Sequence, residues 1–149
     1  MNGSDRFKPV LKVAANREAK AARQFGLSKK QQNEEEGKLV NLRQYHAEYM
    51  TRFQQSASSG MTASQLCEYQ AFLSKLETAI NDQEEVVRQS KLNCTQEKQK
   101  WTQKHIRTQA MDKVMGRMVD TEHKEVESAD QKASDEVSQR IRSGHHTHH

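Results

Sequence analysis

A single proline, Pro9, stands in 149 residues, and from Val10 onward no residue locks φ or removes a backbone donor. A helix that begins near Pro9, in the first turn where proline is favoured, can run until something other than proline stops it. The residues that fill the chain, chiefly Gln, Lys, Glu, Arg and Ala, are strong helix formers. They do not supply a globular core. Only 33% of residues are hydrophobic, where a compact domain approaches half. Disorder and an elongated helix pair both suit such a composition, because the pair needs only a narrow apolar seam. With one proline and six glycines, helix is the better reading.

Heptad counting from Leu11 gives one column of Leu11, Glu18, Phe25, Gln32, Leu39, His46 and Phe53. Its companion column is Ala14, Ala21, Ser28, Glu35, Leu42 and Tyr49. Two columns in seven make a coiled-coil seam. The stretch from Ser28 to Glu36 is polar all round, which predicts a weak point there, bent or splayed. The small polar residues of 54–61 and Gly60 read as a loop. Thr62 and Gln65 then form a T-x-x-Q capping box, with Met61 and Leu66 at the positions of a hydrophobic staple. The second seam runs Leu66, Tyr69, Leu73, Leu76, Ile80, Gln83, Val87, Ser90, Cys94, Glu97, Trp101, Lys104, Thr108, Met111, Met115 and Met118. Beyond it the apolar stripe slips to Val119, Val126, Ala133, Val137 and Ile141, a stutter with Gly116 as its hinge.

These patterns predict an all-α fold: a long two-helix antiparallel coiled-coil hairpin with a C-terminal helical overhang. The expected bounds are a single domain over 1–149, with helix one over 9–53, a loop over 54–61, helix two over 63–141 and a disordered tail over 142–149. A short loop makes the helices antiparallel. A loop centred near residue 58 places Leu11 opposite His105 and leaves everything after about Met111 unpaired.

Catalytic patterns are absent: there is no GKS or GKT, HExxH, CxxC or GxSxG. His46, His105 and His123 share no ligand spacing, the carboxylates sit on solvated faces, and no cofactor or metal is expected. The net charge of +4 is mild and its signs interleave, which argues against a nucleic-acid binder. No apolar run approaches a membrane span. Cys67 and Cys94, 27 residues apart on one helix, are too distant to bridge.

Near the loop the chain exceeds what a plain seam needs. Leu42, Tyr45 and Tyr49 form one stripe, and Phe72, Leu76 and Ala79 another, with Gln83 one turn on. Tyr45, Phe72, Ala79 and Val86 fall one position off the seam. A third apolar column either widens the core or presents a patch to a partner.

The same residues carry a resemblance. LVNLRQYHAEYM at 39–50, GMTASQLCEYQAFLSKLETAINDQ at 60–83, Trp101 and ADQKASDEVSQR at 129–140 resemble the FliJ family. That family comprises small coiled-coil components of the bacterial flagellar type III export apparatus, related in role to YscO-type stalks. The L-x-x-Y-x-x-x-Y block, the Gly-Met loop leading to Y-Q-x-F, and the D-Q-K-x-x-D-E close are its more specific parts. The resemblance implies a non-catalytic stalk like that of rotary ATP synthases. Such a stalk projects through the ring of the export ATPase FliI, stimulates it, and contacts the export gate protein FlhA. FliH and export chaperones are further partners it implies. The implied location is cytoplasmic, peripheral to the inner membrane at the flagellar base. Family gate-facing positions map onto Leu42, Tyr45, Tyr49, Phe72, Leu76 and Ala79. Gln83 and Lys38 stand where the family pattern carries a histidine and a glutamine. The ATPase-facing residues are expected within 129–142. The alternative is a coiled-coil adaptor or substrate chaperone that enters no ring.

Overall fold

The computed structural model describes residues 2–146, and no strand occurs among them. Two helices make up the described residues, α1 over Gly3–Ser59 and α2 over Ala63–His146, packed against each other as an antiparallel hairpin. Nearly every position of the expected seams is buried or half-buried; Leu66 is the exception, left exposed. The core is thin. Leu39, Leu73, Leu76 and Val87 are its buried apolar residues, and no large side chain among those described is sealed completely from water.

Three expected boundaries are corrected. Helix α1 starts at Gly3 and carries Pro9 inside it. The segment before Pro9 is held from across the seam: the Ser4 backbone N–H donates to Glu122 Oε1 at 2.9 Å, and the Ser4 hydroxyl donates to Glu122 Oε2. Asp5 in the first turn adds a favourable charge at the helix N-terminus. Residues 54–59 are helical as well. Ser58 and Ser59 donate their hydroxyls to the carbonyls of Gln54 and Gln55, a bonding mode that accommodates serine within a helix. The chain turns only at Gly60, whose φ of 94° is the one positive φ among the described residues. That left-handed step closes α1, and Thr62 opens α2. The capping box forms as expected: Thr62 N–H donates to Gln65 Oε1 and Gln65 N–H to Thr62 Oγ1, each at 3.1 Å. Lastly, α2 continues past 141 to His146, because a lone Gly144 weakens a helix without ending it. The expected disorder of 147–149 lies outside the described residues.

The helices divide into two compact units. The first, Ala19–Thr102, contains the turn. Here the polar stretch from Ser28 to Glu36 does not interrupt α1. Its carboxylates are used across the seam: Gln83 Nε2 donates to Glu35 Oε2 at 2.6 Å and to the Glu35 carbonyl at 3.0 Å, while Lys91 lies 3.7 Å from Glu36. Ser28 and Ser90, both buried, return their hydroxyls to the carbonyls of Phe25 and Val87. Phe25 and Trp101 meet with ring centroids 6.1 Å apart.

The second unit comprises Met1–Glu18 and Gln103–His149. Glu18 bonds His105 Nδ1, and the Thr108 hydroxyl reaches the Ala14 carbonyl at 3.4 Å. His105 therefore meets Glu18 where Leu11 was expected, one heptad away. Met111, Met115 and Met118 are half-buried, and pairing extends to Glu122. The overhang thus begins at His123, about three helical turns later than Met111, and every residue from 123 to 144 is exposed. Gly116, the expected hinge, lies within unbroken α2 and has no positive φ.

Candidate partner-binding face

The aromatic residues near the turn form a ladder because Tyr45, Tyr49 and Phe53 recur at steps of four on α1. Side chains so spaced stack along one helix face. Tyr69 and Phe72, a step of three apart on α2, interleave with them. Tyr49 and Phe72 have centroids 4.4 Å apart, Tyr49 and Tyr69 5.2 Å, and Phe53 and Tyr69 5.5 Å. Tyr45 meets Phe72 edge-on at 6.0 Å. The Tyr69 hydroxyl lies 3.3 Å from the Ser56 hydroxyl, so its polar end is satisfied at the turn. Such aromatic contacts contribute about 0.5–1.5 kcal/mol each beyond the area they bury.

The seven residues proposed from sequence do not share one environment. Leu76 is buried in the core at 7% exposure. Leu42, Tyr49, Phe72 and Ala79 are half-buried beside it. Tyr45 stands out at 44% exposure, and so does Val86 at 43%. Ring contacts bring Tyr45, Tyr49 and Phe72 together. Gln83 belongs to the seam's polar crossing, where it shares Glu35 with Lys38, whose Nζ lies 3.3 Å from Glu35 Oε1. Gln83 and Lys38 therefore converge on one carboxylate. Those bonds hold the Glu35 carboxyl below the usual carboxylate range, the Gln83 amide being the largest cause. Glu35 was missed by sequence reasoning as anything but a seam defect. A glutamine at a core position on the facing helix was the available signal.

His46 lies on the same seam. Its Nε2 is buried without a hydrogen-bond partner, 3.6 Å from a Glu77 carboxylate oxygen. Both cysteines are free thiols, Cys67 exposed and Cys94 half-buried. Among the described residues no cluster of His, Cys, Asp and Glu could hold a metal ion, and no helix is long and apolar enough to cross a membrane. This face presents a ridge of tyrosine and phenylalanine rings above a thin leucine core.

No curated protein and no solved structure matches the chain. The family model of the flagellar FliJ protein matches it over residues 3–145. Two long helices packed against each other agree with the fold that the resemblance implied, and the match spans both of them. The chain belongs to the FliJ family, whose members are components of the flagellar export apparatus.

Proposed function

We propose that this chain is a non-catalytic coupling stalk: its α2 end engages and stimulates the hexameric export ATPase FliI, and its aromatic face engages the export gate protein FlhA. The observation that carries this reading is the bare helix after Glu122. Every residue from 123 to 144 is exposed, with Val126 at 60% and Val137 at 54%. A helix of this length that packs on nothing is marginal in water, so it is stabilised by what it enters or binds. The segment 129–142 lies wholly within it. The aromatic face supplies a second contact, for tyrosine and phenylalanine edges are favoured at binding hot spots. FliH and escorted export chaperones complete the proposed set of partners at the flagellar base.

Stimulation of the cognate export ATPase by the full chain and by a chain ending at Lys124 tests the stalk. Loss of stimulation is expected, with the thermal melt of the remaining paired helices unchanged. Stimulation that survives the truncation favours an adaptor or substrate chaperone outside the ring. For the gate, Tyr45→Ala should abolish capture by the FlhA cytoplasmic segment while leaving the melt within a few degrees of wild type. A collapsed melt would return Tyr45 to the core.

A further inference from the structure

The unit formed by Met1–Glu18 and Gln103–His149 carries two surfaces of opposite charge. One is a shallow groove of about 200 Å³ between α1 and α2. Val10 and Val13, 48% and 49% exposed, and Met111 form its apolar wall. Arg17, Lys104 and Arg107 surround that wall. None of the three forms an ion pair among the described residues, and no carboxylate is among the groove's described lining residues. The other surface is α2 beyond Glu122. Over residues 123–137 it carries five carboxylates against two lysines. Val126 and Val137 make an exposed stripe along it, with Asp130 one turn beyond Val126 and Glu127 beside it. An acidic amphipathic helix and a basic groove with an apolar wall therefore lie on one chain.

We propose that the groove receives the acidic 123–137 helix of a second copy, giving a two-fold dimer. The chain cannot satisfy its own groove, because α2 is unbroken from Ala63 to His146. Some 20 residues, or about 30 Å of helix, separate the centre of the groove from the centre of the acidic stretch. Two copies laid antiparallel about an axis near Met118 bring each acidic stretch onto the other copy's groove. The contact is isologous and closed, so both complementary pairs are satisfied and no sticky end remains to propagate. At the axis, Val114 and Val119, 39% and 46% exposed, supply apolar surface for the copies to share. Opposite charges around an apolar strip favour this occupant over an uncharged helix, and they make the association salt-sensitive. The inference does not depend on the stalk reading, but it claims the same helix, so the dimer and ATPase engagement are alternative states of residues 123–137.

Sedimentation equilibrium of the full chain in about 0.05 M and about 0.5 M salt, between which the Debye length falls roughly threefold, is the test. A dimer is expected in the low-salt buffer, with association at least about tenfold weaker in the high-salt one. Two charge-reversed variants sharpen it: Arg17→Glu with Arg107→Glu, and Glu127→Lys with Asp130→Lys. Each should stay monomeric where the wild type dimerises, with unchanged helical circular dichroism. An equimolar mixture should recover a dimer, because both groove–helix contacts then regain opposite charges. A wild-type chain that is monomeric throughout overturns the proposal. So does a variant that dimerises like wild type, or a mixture that stays monomeric; an acidic helix from a different protein would then be the occupant to seek.

Discussion

Glu35 shows how one seam position departs from apolar packing and still contributes. Its carboxylate accepts from Gln83 and faces Lys38, and these contacts keep it ionised to lower pH than an ordinary glutamate. Glu18, held by His105, and Glu122, held by Ser4, are lowered in the same direction, and the Arg88 guanidinium takes Glu85 down to about 2. Because each folded carboxyl titrates below its ordinary value of 4.5, its contribution is complete above that pH and is lost as pH falls through the lower folded value. Thermal melts should therefore be nearly flat from neutral pH down to about 5 and should decline below it. Glu35→Gln should flatten part of that acid limb. A decline as steep as wild type would remove Glu35 from the account. Leu76 makes the opposite case. Leu76→Ala should cost about 2–3 kcal/mol in urea unfolding, the low end for a core leucine, because nothing in this core is wholly sealed. Burial of Leu76 was legible from the heptad columns. The role of Glu35 was not, since the period marks a position as inward without saying which polar partner waits there.

At the scale of elements, both helices and their inward faces were legible, and their register was not. His105 was expected against Leu11 and meets Glu18. A heptad pattern looks the same after a shift of seven, so periodicity alone cannot tell the two pairings apart. The turn fixes the choice, and the turn was misplaced because serines at 56, 58 and 59 read as loop. Their hydroxyls have helical uses here, on Gln54, Gln55 and Tyr69. Pro9 misled in the same manner. Proline in a helix interior costs about 3 kcal/mol, so a start at Pro9 was the economical reading. The Ser4–Glu122 contact keeps the earlier turn helical from across the seam. Glu122→Ala should accordingly speed amide hydrogen exchange in residues 3–8 by about tenfold or more, the loss of one or two charge-assisted bonds, while the global melt shifts little. Unchanged exchange there would mean that α1 holds its own first turns.

For the molecule as a whole, the family was legible because the turn region and the 129–140 segment carry specific residues rather than heptads alone. How much helix lacked a partner was not, since that length depends on the register. Trypsin should report it directly: Lys124, Lys132, Arg140 and Arg142 should be cut first, leaving a fragment that ends near Glu122 and resists further cleavage. Early cuts at Lys104 or Arg107 would show that pairing ends sooner. The three-residue turn also sets an order of events. Contacts across the seam join residues 13 apart at Ser56–Tyr69 and 118 apart at Ser4–Glu122. Closing the longest of these loops at once is costly, whereas each pair closed after its inner neighbour adds almost no new loop. Folding should therefore zip outward from the tyrosines beside Gly60, with local contacts forming early and the N-terminal turn joining last. On the ribosome the consequence is a delay: α1 is complete long before Glu122 emerges, so the turn around Ser4 waits longest for its partner.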